Sequence, residues 1–138
     1  MISVDECFRK GLLRRVPPSR EKALESVSKA KTFLKEGEDN LSDGRLNSAV
    51  VMAYLALFDA EKALLYKEGW REKSHACVVS YLREKHEEIP KKVMDSLEYY
   101  KNIRHSVQYE LEFFFSEKDA EEMIVFAKDF IKLVEKLV

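Results

Sequence analysis

From about Arg45 to Glu68 the chain is apolar on almost every side of a helical wheel. Leu46, Ala49, Val50, Ala53, Leu57, Ala60 and Leu64 recur at three-four spacing on one side, and Val51, Met52, Leu55 and Phe58 fill the other. A helix with no wet face must be surrounded, so this segment is expected at the centre of a bundle, touched by several neighbours. That requirement points to an all-α class.

The flanking segments supply the neighbours. Ser19 is placed to cap a helix whose apolar positions Ala23, Val27, Ala30, Leu34 and Leu41 run to about Asp43, with Gly44 as the stop and Gly37 loosening the last turns. Gly69 ends the central helix, and Trp70 to Lys73 form the connection, with Trp70 read as a plug against the bundle. Ser74 then caps a shorter helix carrying Val78, Val79 and Leu82 to about Glu87, and Pro90 opens the next one. The last helix starts at Ser116 with Asp119 three residues on, a capping arrangement, and carries Ala120, Met123, Ile124, Ala127, Phe130, Ile131, Val134 and Leu137 as a clear stripe. No run alternates with period two long enough to argue for a strand, and there is no internal repeat. The expected architecture is an antiparallel bundle of about five helices over residues 19 to 138, its short connections turning each helix back on the last.

Residues 1 to 18 are read as an irregular basic lead-in holding Arg9, Lys10, Arg14 and Arg15 and closed by Pro17-Pro18. It is either a solvated tail or short helix packed on the body, or an arm that binds phosphate. Elsewhere 24 basic residues balance 25 acidic ones, so no global field draws the protein to nucleic acid or membrane, and any anion site must be local. Cys7 and Cys77 lie far apart in no metal-ligand spacing, which indicates neither a disulfide framework nor zinc and leaves a reducing cytoplasm as the expected compartment. The continuous apolar run, 49 to 58, is about half of a bilayer span. A charged fraction of 36% is compatible with a heat-adapted source.

Most catalytic motifs are missing. His75, His86 and His105 are scattered, with no H-E-x-x-H or Glu-x-x-His pairing, so no metal is expected. There is no G-x-S-x-G turn and no glycine-rich phosphate loop, so no nucleotide cofactor is expected either. His75 reads as a first-turn helix residue. Phe113-Phe114-Phe115 read as core and subunit-contact surface, or as a partner groove if exposed.

One residue breaks the pattern. In the helix opened by Pro90, Val93, Leu97, Tyr100, Val107 and Leu111 share a stripe, and Arg104 falls in phase with all of them. A guanidinium does not shed its proton, so at that place it requires an acidic partner, a water-lined cleft, a subunit boundary or an anionic ligand. Gln108 follows one turn later near the same face, whereas His105 and Tyr109 point about 100° and about 140° away on an ideal helix. Asp59 or Glu61 of the central helix could pair with Arg104 and set the bundle register without doing chemistry.

The run from Asn47 through Val50, Ala53, Tyr54, Phe58, Asp59, Glu61 and Leu65, then Lys73-Ser74-His75, then Arg104-His105-Ser106-Val107-Gln108-Tyr109, resembles a HEPN domain, and more closely the small stand-alone prokaryotic HEPN proteins. The resemblance covers roughly residues 19 to 138, with the lead-in from Cys7 to Ser19 also similar. It implies an up-and-down bundle like nucleotidyltransferase substrate-binding domains, paired as a homodimer with the Arg104 segments facing each other across a cleft. Several relatives are metal-independent endoribonucleases, often toxins encoded beside a minimal nucleotidyltransferase antitoxin. In them an arginine is followed, after four to six intervening residues, by a histidine taken as the acid/base.

Here Arg104 matches the arginine, but residues 109 to 111 are Tyr, Glu and Leu. A phenol is a poor general base at neutral pH. The resemblance therefore implies a phosphate-bearing ligand, nucleotide or RNA, held by Arg104, Gln108, Tyr109 and Asp59, with a minimal nucleotidyltransferase as partner in a toxin-antitoxin-like system. Two alternatives stand beside it: a metal-independent endoribonuclease using Arg104 with His105 or Tyr109, and a non-catalytic dimer serving a structural role.

Overall fold

A helix with no polar face is stable only inside others, and the central segment, α3 (Leu46–Glu68), is enclosed in this way. The computed structural model describes residues 1 to 138. Twelve residues of α3 are buried, against two in the helix that carries Arg104. Around it pack α2 (Arg20–Ser42), α4 (His75–Lys85), α5 (Lys91–Tyr109) and α6 (Glu117–Leu137). Contacts pair early with late positions. Ser26 donates to the Asp59 carbonyl at 2.6 Å, while Gly37 lies against Ala49 and Ala53, so α3 runs back along α2. Arg20 reaches the Val138 carbonyl at 3.1 Å and Gly37 lies against Ile124, which sets α6 antiparallel to α2 as well.

The helix ends follow local chemistry. Ser19 accepts from the Lys22 amide, and Ser116 with Asp119 closes a reciprocal capping box. Gly69 ends α3 in the left-handed conformation, φ 87°. Pro90 is the N-cap of α5. Ser74 sits at the α4 N-cap, but its side chain makes no capping bond, and α4 stops at Lys85, two residues before the expected end. Gly37 does not loosen α2. It is buried where α2 crosses its neighbours, and a Cβ there would come within 2.9 Å of Ile124 Cδ1.

The all-α expectation holds, with one more helix than expected and two short strands. The lead-in is ordered: α1 (Val4–Arg9) is capped by Ser3, and β1 (Leu13–Arg15) pairs antiparallel with β2 (Trp70–Glu72). Strands of three residues are too short to show an alternating pattern. Trp70, in β2, is stacked on Phe8 at 4.7 Å between ring centres, and the Arg15 guanidinium lies over the Trp70 ring at 4.6 Å. The fold-back of the lead-in also overturns the expectation for the cysteines. Cys7 of α1 meets Cys77 of α4 with Cα atoms 5.8 Å apart, and the two form a disulfide with both residues fully buried. A sequence separation of 70 hides such a pair, because only the tertiary fold brings α1 onto α4. No helix is long and apolar enough to cross a membrane.

Candidate functional site

On α3, Tyr54, Phe58 and Glu61 stand at spacings of four and three and so share one face. Phe58 packs under the Tyr54 ring with centres 6.0 Å apart. Glu61 is fully buried, which a carboxylate tolerates only with a partner. That partner is His75, the first residue of α4, whose Nε2 lies 2.8 Å from Glu61 Oε2. The other ring nitrogen, Nδ1, is 2.7 Å from the Tyr54 hydroxyl. An ionised carboxylate only accepts, so Nε2 carries the proton and donates to Glu61, leaving Nδ1 to accept from the Tyr54 hydroxyl. The imidazole is packed on Phe58, ring centres 4.4 Å apart, and is held at both ends. Glu61 Oε1, by contrast, has no hydrogen-bond partner.

Arg104 approaches this group from α5. Its Cζ lies 4.1 Å from the centre of the Tyr54 ring, a cation–π contact, and one of its terminal nitrogens donates to Gln108 Oε1 at 3.0 Å. Neither Asp59 nor Glu61 pairs with it, contrary to the register-setting ion pair considered above. Glu61 faces His75, and Asp59 is paired with Lys62 at 3.2 Å. Arg104 makes no ion pair at all, and its Nε is buried without a partner. The result is a permanent cation seated on an aromatic face with donors left over. Burial pushes the Tyr54 phenol above its ordinary pKa, although the neighbouring Arg104 pulls the other way, so Tyr54 stays neutral at neutral pH.

The remaining candidates separate. His105 and Tyr109 lie against each other with tilted rings 4.8 Å apart, both exposed, and neither is in contact with the Arg104 guanidinium. Asp59 lines a different cavity, between α2 and α3. Leu111 lies beyond the end of α5, fully exposed, so the stripe ends at Val107. Gln108 is the one expected companion that joins Arg104. Tyr54 and His75 join it unexpectedly: an aromatic in an apolar helix reads as core, and a histidine at a helix start reads as local structure. The spacing of Tyr54, Phe58 and Glu61 was the available signal, since it puts a carboxylate in line with two rings.

The HEPN domain family matches residues 23–137, nearly the whole bundle. The chain belongs to the HEPN family. No curated protein matches it significantly. The match takes in α3, α4 and α5 entire, and with them Tyr54, Glu61, His75 and Arg104, while the whole lead-in lies outside it. Membership supports a nucleotide- or RNA-related role in coarse terms. In the α5 of this HEPN chain the one histidine after Arg104 is the adjacent His105, residues 109 to 111 hold none, and the imidazole bonded to Tyr54 comes from α4.

Proposed function

We propose that this HEPN protein holds a phosphate-bearing ligand, a nucleotide or RNA, on Arg104, in a cleft completed by a second copy of the chain. The observation that carries the reading is the state of that guanidinium: fixed over Tyr54, tied to Gln108, and paired with no carboxylate. An arginine in this state offers planar donors to phosphate oxygens without first having to break an internal ion pair. The second copy is supported by what α5 leaves uncovered. Only Met94 and Leu97 of α5 are buried, and Tyr99, Tyr109, Leu111 and Phe114 are exposed on and just after it. A minimal nucleotidyltransferase partner, in a toxin-antitoxin-like pair, and a cytoplasmic setting belong to the same proposal. Burial of both sulfurs shields the Cys7–Cys77 bridge from reductants there.

The test is a titration at fixed salt of AMP, ATP and a short labelled RNA into the wild type and Arg104→Ala, with sedimentation reporting the oligomeric state. Binding that weakens at least about tenfold in the variant supports the reading, since charge-assisted bonds to phosphate are lost. Unchanged binding ends it.

One observation favours a second reading, a metal-independent endoribonuclease. His75, oriented by Glu61, supplies an imidazole beside the Arg104–Tyr54 pair, where the α5 histidine, His105, does not reach. That reading expects RNA cleavage in the presence of EDTA, cyclic phosphate ends, and loss of cleavage in both Arg104→Ala and His75→Ala. RNA left intact by the wild type after long incubation rules it out.

A further inference from the structure

A second polar cavity, of about 330 Å³, opens where α2, α3 and β2 meet. Its cations come from three elements: Lys22 and Lys29 from α2, Lys62 from α3, and Arg71 from β2. Only Lys62 is neutralised, by Asp59 at 3.2 Å, and none of the other three makes an ion pair. Beneath them the cavity has a buried polar floor. Asp59 and Ser26 are 6% and 7% exposed, and Asp59 Oδ1 is engaged by Lys62. Glu25 stands among the lining residues as a single uncommitted carboxylate.

This arrangement differs from a solvated lysine face, in which cations splay apart over an apolar or featureless surface. Here Lys22, Lys29 and Arg71, none of them in an ion pair, border a recess that is also lined by the largely buried Asp59. Such cations fit a phosphate group, and the Asp59 carboxylate fits hydroxyl donors. The volume lies at the small end of ligand cavities. We infer that this recess binds a sugar phosphate, a phosphate monoester that also carries free hydroxyls. The phosphate lies among Lys22, Lys29 and Arg71, and the hydroxyls donate to Asp59.

The site is independent of the reading given for Arg104, yet it adjoins it. Lys62 lies over the Phe58 ring at 4.7 Å, and Phe58 packs on His75, so one aromatic side chain separates the two places. The lead-in helps to build the recess, since Val16 lines it and is tied to the end of α3 by a 3.0 Å bond from its amide to the Gly69 carbonyl.

Calorimetric titration and thermal shift at constant ionic strength test the inference, with ribose 5-phosphate, inorganic phosphate and ribose as probes. For the wild type, ribose 5-phosphate is expected to bind saturably, inorganic phosphate at least about tenfold more weakly, and ribose not at all. Lys29→Glu combined with Arg71→Glu, both at exposed positions, abolishes binding; Asp59→Asn reduces ribose 5-phosphate to the level of inorganic phosphate; Arg104→Ala leaves it unchanged. The inference is overturned if the wild type shows no saturable response, if the charge-reversed variant still binds, if Asp59→Asn retains the preference for the sugar, or if Arg104→Ala removes binding. Circular dichroism of each variant confirms that a loss is not unfolding. Because the Arg104 variant is read separately, failure here leaves the proposal for that residue intact, and the converse also holds.

Discussion

The guanidinium of Arg104 and the ring of Tyr54 face each other at 4.1 Å, and it is this aromatic contact, not a carboxylate, that makes a permanent cation tolerable on the inner side of α5. The cost of placing charge there is offset by the ring face and by Gln108, while the full charge is kept. Tyr54 is in turn fixed by His75, and His75 by Glu61, so the position of Arg104 depends on a buried array that it does not itself touch at the far end.

Removing one link of that array should therefore be felt as stability. Tyr54→Phe keeps the ring for Arg104 but leaves His75 Nδ1 without its donor, an expected loss of about 1–2 kcal/mol. Glu61→Ala leaves a cavity and an orphaned imidazole nitrogen in the interior, an expected loss of roughly 3 kcal/mol. Urea denaturation of the two variants checks the order. A Glu61→Ala protein as stable as the wild type would mean that the carboxylate is not the partner that orients His75.

The disulfide closes a long loop. On chain-entropy grounds, bridging residues 70 apart stabilises the fold by about 4 kcal/mol. Cys7→Ser combined with Cys77→Ser, or prior reduction under denaturing conditions, should lower the melting temperature by at least several degrees. Hydrogen exchange should quicken in α1 and β1 more than in α3, because the lead-in is the part that the bridge ties down.

At Gly69 two constraints coincide. Its φ of 87° disfavours any side chain, and a Cβ would sit 2.7 Å from the Val16 carbonyl oxygen. Gly69→Ala should cost about 2 kcal/mol in a denaturation experiment. Gly44→Ala, also at positive φ but in open space, should cost less. Equal losses would mean that the close approach of the lead-in contributes nothing.

His86, buried at the end of α4, donates from Nε2 to Glu68 and, in its protonated form, from Nδ1 to Glu88. The hydrogen bond to Glu68, ahead of the desolvation that opposes it, raises the His86 pKa above 6.5. Glu68 is lowered below 4.5 although burial alone would raise it, because the bonds from His86 and Tyr81 prevail; Glu88 is lowered chiefly by His86. A raised histidine contributes its full stability below the unfolded value and loses it as pH rises through the folded one. The depressed carboxylates contribute above their unfolded value and lose it as pH falls. The cluster should thus stabilise most between pH 4.5 and 6.5. The stability difference between wild type and His86→Gln, of roughly 1 kcal/mol in that window, should shrink as pH rises through the raised His86 value. A difference that grows with pH would contradict the assignment.

The helices were legible because their signals are local. Ser19, Ser116, Gly69 and Pro90 mark ends wherever they occur in such a pattern, and the stripe of α6 needs no knowledge of its neighbours. The hairpin of β1 and β2, the Cys7–Cys77 bridge and the order of the lead-in were not, since each depends on residues more than fifty positions apart. Within the site the same division holds. Arg104 stood out by violating the phase of its own helix. Its partner did not, because Tyr54 does what an apolar position normally does, and only the fold shows that its face is turned to a cation. Asp59, set among Leu55, Met52 and Phe58, and Glu61, at the edge of the apolar stripe, were both reasonable counter-charges, but they differ by two positions on a helix and so point to different neighbours.

The Cys7–Cys77 bond also divides the chain mechanically. The ring that it closes contains α2, α3 and the hairpin, whereas α5 and α6 hang outside it, beyond α4. Tension applied at the C-terminus peels away α6 and then the helix bearing Arg104 while the covalent ring stays shut. A pulling trace from this protein therefore ends short of its full contour length until the bridge is reduced.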